Sequence, residues 1–401
     1  MSFRISRRDF LGLSLVSILS ACTAKSTETS TPTAIVPKPT ATFDTSPHTY
    51  AADDVGILFS GRIDFSDAKK PVFSAPGVAI QARFYGTDAA VLLEDEFKWG
   101  TNRNYYDAVI DGTTVVKVAP DRAVTRYEVA ADLPEGEHTL ALVKRTEASI
   151  GKCTFLGFEF AGAILPAPPR PARRLEFIGD SITCDTGMEA LINSTQCTED
   201  GWGQPYNNAR LSYEAVLSRN LNAEYHLNAV SGIGLVRNYG FQYDARPMLD
   251  VYDSLFFEQT DSPLWDPKLY VPDALVIALG SNDFSPGDSE RPIMEVDVFV
   301  NAYVEFIHKL RQDFPDAHIF CVSSPILGDN WPTPAYKSAT DQKTAITHVV
   351  DQLTQAGDSK VHKFFSIPIV GMGCGSHPDT NQHQQMADQL GRIIAGVMGW
   401  S

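Results

Sequence analysis

A chain of 401 residues exceeds one ordinary domain, and its 43% apolar and 20% charged content is that of a globular protein, not a disordered or fibrous one. The formal net charge of −16 argues against nucleic acid and anionic membrane surfaces as partners, and it suits a neutral ligand such as a sugar.

The first element is an export signal. "SRRDFLGL" (Ser6 to Leu13) resembles a twin-arginine signal, with Arg7 and Arg8 before an apolar run, Phe10 to Ala21, that is too short to span a bilayer. The run ends in "LSAC", which resembles a bacterial lipoprotein signal, so Cys22 is the expected lipidated first residue of the mature chain. Residues 1–21 are then a lipoprotein-type signal peptide and the chain an envelope protein, in the periplasm or on the outer membrane; Thr23 after the anchor agrees with the outer membrane. Residues 22–47, rich in Thr, Ser, Pro and Ala, cannot bury enough surface to fold and read as a tether. Outside the cytoplasm the remaining cysteines (Cys153, Cys184, Cys197, Cys321, Cys374) are free to form disulfides. Their odd number leaves at least one over, and Cys184 with Cys197, flanking one loop, is the first pair expected.

Residues 48–163 consist of short β-branched or alternating runs such as "VAIQARFYG", "TTVVKVA" and "HTLALVKRTE", with the hairpin signal Asp111-Gly112. No long 3.6-residue periodicity interrupts them, and an all-β sandwich is expected. "ILPAPPRPARR", residues 164–174, is a stiff proline-rich linker. From 175 to 401 strand and helix patterns alternate. Five apolar runs start at Leu175, Glu224, Asp273, His318 and Val361, with helical patterns over Ala209 to Leu221, Glu295 to Asp313, Ala339 to Ala356 and Thr380 to Met398. This predicts an α/β doubly wound, flavodoxin-like domain with a mainly parallel five-stranded sheet, whose sites form at the carboxyl ends of the strands.

The chemistry-bearing residues fall at those ends. "FIGDSIT" puts Ser181 after the first strand, where its hydroxyl can stand on the sheet edge. "AVSGIGL" puts Gly232 after the second, with an unhindered N–H, and "LGSNDFS" puts Asn282 and Asp283 after the third, where an amide can donate to a developing oxyanion. "GCGSHPD" puts His377 after the fifth. Each string alone is explained by a helix cap or a turn. Their joint order brings a nucleophile, two oxyanion donors and a base to one edge of one sheet.

This order resembles the SGNH, or GDSL-type, hydrolase superfamily. "EFIGDSITC", "SGIGLVRNYG", "LGSNDFS" and "GCGSHPDTNQHQQMA" further resemble carbohydrate esterase family two, which joins an N-terminal jelly-roll domain to an SGNH domain. The resemblance spans residues 50 to 400. It implies deacetylation of acetylated xylan, mannan or related sugars through an acyl-enzyme on Ser181. His377 is then the base, the N–H groups of Ser181 and Gly232 with the Asn282 amide form the oxyanion hole, and no metal or cofactor is needed.

Many members carry Asp where this chain has Gly375. A Ser-His dyad is therefore expected, with the carbonyl of Gly375 or Ser376 orienting the imidazole. Tyr239, Trp331, Trp202 and Asp283 are candidate substrate-binding residues, and the protein is expected to be a monomer. Two other readings stand beside this one: a GDSL-type esterase or lysophospholipase acting on lipid acyl esters, and a noncatalytic glycan-binding lipoprotein.

Overall fold

The structure, a computed structural model, describes residues 44, 46–199, 204–240, 246–287 and 291–400. The expected signal peptide, most of the tether, Cys22 and Trp202 lie outside the described residues.

The N-terminal part is antiparallel β-structure: β1 (Pro47–Ala51), β2 (Ile57–Ser60), β3 (Val72–Phe73), β4 (Ala79–Asp95), β5 (Tyr106–Ile110), β6 (Thr114–Val118), β7 (Arg126–Ala130), β8 (Gly136–Lys144) and β9 (Cys153–Leu165). The order is β1-β9-β4-β8-β5-β6, with β2 and β7 also on β4 and β3 on β9. Strand β4 has register shifts between Gly86 and Ala89, and it pairs along its length with β2, β7, β8 and β9. Over its first half every second residue faces inward (Ile80, Ala82, Phe84), onto an aromatic core where Phe84 stacks on Phe160 with ring centroids 4.3 Å apart.

The rest is α/β. Its elements are β10 (Arg173–Gly179), α1 (Gln196–Glu199), α2 (Tyr213–Asn220), β11 (Ala223–Ala229), α3 (Met248–Val251), β12 (Ala274–Ala278), α4 (Ser281–Phe284), α5 (Val296–Asp313), β13 (His318–Val322), α6 (Ser338–Gln355), β14 (Val361–Phe364) and α7 (Thr380–Met398). The five strands are parallel in the order β11-β10-β12-β13-β14. Along β10, Leu175 and Phe177 pack with α2 and α7, whereas Ile178 packs in the core that also holds α5 and α6. Both faces of the strands are thus covered, which is why they read as unbroken apolar runs. The order reverses beside β10, and the crevice at that switch point receives the loops after β10 and β12.

The expected helix from Ala209 begins only at Tyr213, because Ser212 is extended and accepts the Ala215 N–H at 3.1 Å as an N-cap. The Ala209 N–H is drawn to the carbonyl of Arg145 in the β-structure instead.

The two sheets lie in one compact unit, Phe43–Ser401, joined by polar contacts, some of them buried. Arg62, beside β2, donates to the carbonyls of Tyr252 and Ser254 and to Glu176 on β10. Asp107 on β5 accepts from Arg145 and, at 2.7 Å, from Arg210. Arg170 in the connecting segment donates to Phe59 O on β2 and pairs with Glu224 on β11.

Candidate active site

Ser181 follows the last residue of β10 by two positions, and its neighbour Asp180 braces the turn by accepting the Ile182 N–H at 3.0 Å. Burial pushes the Asp180 carboxyl up to about 7, against the pull of that N–H and of Ser281. The Ser181 hydroxyl lies 2.7 Å from Nε2 of His377. On the far side of the ring Nδ1 lies 2.8 Å from the carbonyl oxygen of Cys374. A carbonyl only accepts, so Nδ1 carries the hydrogen and Nε2 presents its lone pair to the Ser181 O–H. Burial pulls the His377 pKa below the ordinary 6.5, and the Cys374 carbonyl partly opposes this by favouring the imidazolium.

The orienting carbonyl is that of Cys374, which corrects the expectation of Gly375 or Ser376. Residues 374–376 form a 3-10 turn, and its closing N–H, that of His377, reaches the same oxygen at 3.1 Å. Gly375 and Ser376 take φ of 60° and 61° inside this turn. Asp379 stands outside the site: it caps α7, accepting the Gln382 N–H at 2.9 Å, while the Gln382 side-chain oxygen accepts the Asp379 N–H at 3.0 Å.

Gly232, at φ 80°, belongs to a turn held from several sides. The Ser231 N–H donates to Glu147 of the β-structure, its hydroxyl lies 2.8 Å from Thr186 Oγ1, and the Thr186 N–H reaches Ser181 O at 3.2 Å. Asn282, in α4, donates one amide hydrogen to Ile233 O at 2.7 Å, and an amide nitrogen has a second hydrogen to offer. The structure thus links the loops of Ser181, Gly232, Asn282 and His377 by direct contacts.

Asp283 does not face a ligand, contrary to expectation. It is wholly buried, and its carboxylate accepts the N–H groups of Leu235, Val236 and Arg237 at 2.8–3.0 Å. Tyr239 is half-buried and donates its N–H to Gly232 O at 2.8 Å, which puts it beside the turn, whereas Trp331 is 62% exposed in the loop after β13.

The cysteine pairing also differs from expectation. Cys197 is bonded to Cys374, and Cys184 is buried and free, as are Cys153 and Cys321. Cys184 stands next to the Ser181 loop, where burial drives its thiol well above the usual range.

Sequence reading missed three contributions. Glu147 and Trp99 of the β-structure line a cleft of about 630 Å³ together with Ser231, Asn238 and Arg246. Nothing in their local pattern marks them. Cys374 was visible only as one of an odd set of cysteines. A third group lies behind the site: Asp185, Glu214 and His383, buried, with ligand-capable atoms within 4.8 Å of one another. The Tyr213 N–H already occupies Nδ1 of His383, and burial pushes Glu214 up to about 8.

Comparison with known proteins agrees with the fold. Residues 177–362 match the GDSL-like lipase/acylhydrolase family, which defines the class, and residues 59–169 match the carbohydrate esterase 2 N-terminal domain. A solved family two carbohydrate esterase from Clostridium thermocellum, in complex with cellohexaose, superposes with a TM-score of 0.77 at 35% identity, covering 86% of this chain and all of that one. One from Cellvibrio japonicus gives 0.77 at 26% identity, over 88% and 99%. Among curated proteins, the cellulase/esterase CelE of Acetivibrio thermocellus is 37% identical over 355 residues, 87% of this chain and 40% of CelE. An acetylxylan esterase/glucomannan deacetylase of Cellvibrio japonicus is 28% identical over 88% of this chain and 92% of its own length. The chain belongs to carbohydrate esterase family two, and with it to the carboxylic ester hydrolases.

Proposed function

We propose that this protein removes O-acetyl groups from carbohydrates, with acetylated xylan or glucomannan as the substrate class, through an acyl-enzyme on Ser181. The observation that carries the reading is the 2.7 Å contact between Ser181 Oγ and an imidazole whose other nitrogen is fixed on a carbonyl. Ser181 Oγ attacks the acetyl carbonyl carbon as its proton passes to His377 Nε2. The N–H groups of Ser181 and Gly232 and the second amide hydrogen of Asn282 receive the oxyanion, each donor contributing about 3 kcal/mol. Collapse breaks the bond to the sugar oxygen, which takes the proton from His377 and departs as the free hydroxyl, leaving acetyl-Ser181. His377 then deprotonates water for the second attack, and acetate departs. The Cys374 carbonyl keeps the tautomer but lacks the charge with which a carboxylate would balance the imidazolium.

The carbohydrate assignment draws support from the relatives' named substrates and from the cellohexaose complex of a relative. Export and lipid anchoring at Cys22, in the periplasm or on the outer membrane, belong to the same proposal and rest on the Arg7-Arg8 and "LSAC" signals. The test is acetate release from acetylated xylan, acetylated glucomannan and p-nitrophenyl acetate. Turnover is expected to fall about 10⁴-fold or more in Ser181→Ala. A folded wild type inactive on all three would favour a glycan-binding role, and turnover confined to long-chain esters a lipase.

A further inference from the structure

We propose that the Cys197–Cys374 disulfide does the positioning that a carboxylate before the histidine does elsewhere: it holds still the main-chain oxygen that orients His377. The inference rests on the dyad reading above and deepens it.

The oxygen in question belongs to a bridged residue. Cys374 O accepts both the His377 N–H, at 3.1 Å, and the His377 Nδ1–H, at 2.8 Å, so ring and backbone hang from one atom. A carbonyl is only as well placed as its backbone, and this backbone lies in a loop outside any helix or strand longer than one turn. Two consecutive residues after Cys374 adopt left-handed conformations, and Gly375 and Ser376 are exposed. No acidic side chain lies between Gly371 and His377 to anchor it.

What fixes the loop is the segment after the nucleophile. The Cys374 N–H donates to Gly187 O at 3.2 Å, the Ile192 N–H to Met372 O at 2.8 Å, and the Thr380 N–H to Met188 O at 3.2 Å. Cys374 is packed so closely on Gly187 that a Cβ at Gly187 would lie 2.3 Å from the Cys374 Cβ. The disulfide ties this stack covalently across a sequence separation of 177 residues, from the far end of the nucleophile loop to the residue that carries the orienting oxygen. These hydrogen bonds set the distance between the two segments but do not bond them covalently. The disulfide does, and it restricts the sideways drift of Cys374 that would lengthen the Nδ1–H···O bond. Cys197 and Cys374 are therefore positioning residues, acting on the reacting atoms through the imidazole.

The experiment first maps the bond, by mass spectrometry of unreduced peptides from the full chain, and then compares Cys197→Ser, Cys374→Ser and the double variant with wild type on p-nitrophenyl acetate. Rates are taken per folded molecule, with the folded fraction read from urea unfolding, so that lost stability is not counted as lost catalysis. All three variants are expected to lose kcat by the same factor, about 10- to 100-fold, with KM within about twofold, because the bridge places a catalytic group and not the substrate. Adding Gly375→Asp to Cys197→Ser, which offers the imidazole a second hold, is expected to recover part of that loss. A peptide map without the bond, an unchanged kcat, or a loss appearing in KM alone would overturn the proposal. Ser181→Ala keeps the two readings apart. If that variant is inactive while the cysteine variants are not impaired, the dyad stands and the clamp falls; if it retains activity, the dyad itself is wrong.

Discussion

His377 shows how little separates a dyad from a triad at the level of single atoms. Gly375 sits at φ 60°, and a Cβ placed there would lie 3.3 Å from the His377 Nδ1. Position 375 is therefore the place from which a short acid would reach the imidazole, and its absence leaves a neutral carbonyl as partner. The consequence is a base whose pKa is held below 6.5 by burial with only a weak opposing pull. Catalysis needs the neutral ring, so activity is lost as pH falls through that pKa. The acid limb of kcat/KM on p-nitrophenyl acetate should have its midpoint below 6.5. In Gly375→Asp a carboxylate favours the imidazolium, and the limb should move to higher pH. A wild-type limb above 7 would contradict burial as the dominant influence on the ring, and a downward move in the variant would contradict His377 as the base.

Among the elements, the short helix α4 does more than carry Asn282. Its next residue, Asp283, receives three consecutive N–H groups from the segment after Gly234, and Arg237 returns two bonds to the Asp283 carbonyl, at 2.6 and 2.8 Å. The packing is close: a Cβ at Gly234 would lie 2.0 Å from Arg237 O and 2.7 Å from Asp283 Oδ2. The loops after β11 and β12 are thereby locked together, and the two candidate oxyanion donors ride on them. Asp283→Asn turns one accepting oxygen into a donor against the Leu235 N–H, a mismatch worth about 2 kcal/mol. Urea unfolding should show that loss, with a drop in kcat as the Gly232 turn loosens. A stability change under about 0.5 kcal/mol would mean that the clamp matters less than its geometry implies.

Over the whole molecule, the β-structure takes part in the site and is not a passenger. Glu147 holds the Ser231 N–H beside Gly232, while Arg62 and Glu176 form a cross-sheet ion pair in which both side chains are only 2% exposed. Such contacts oblige the two parts to unfold together. Calorimetry on the full chain should give one transition. Removing Arg62 with Ala leaves Glu176 buried beside Tyr252 and Asn228 without its counter-charge, a loss of about 3 kcal/mol or more. Two separate transitions, or an unaffected midpoint in Arg62→Ala, would show that the parts are stable independently.

Much of this architecture is legible in the residues themselves. Buried parallel strands must be apolar on both faces, so the runs at Leu175, Ala274 and His318 declare themselves, and the polar residues directly after them fall on the sheet edge by construction. That is why Ser181, Gly232 and Asn282 are legible from order, whereas His377 lies farther along, in the loop between β14 and α7. The rest depends on distances between residues far apart in the chain. Cys197 pairs with Cys374 and not with its near neighbour Cys184 because folding stacks the nucleophile loop on the base loop. Asp283, read as facing a ligand, turns inward because three main-chain donors await it in the core. Which carbonyl holds His377 was decided by a 3-10 turn whose left-handed residues no local pattern singles out. Local sequence determines which surface of an element must be buried, and only the tertiary structure decides what that surface meets.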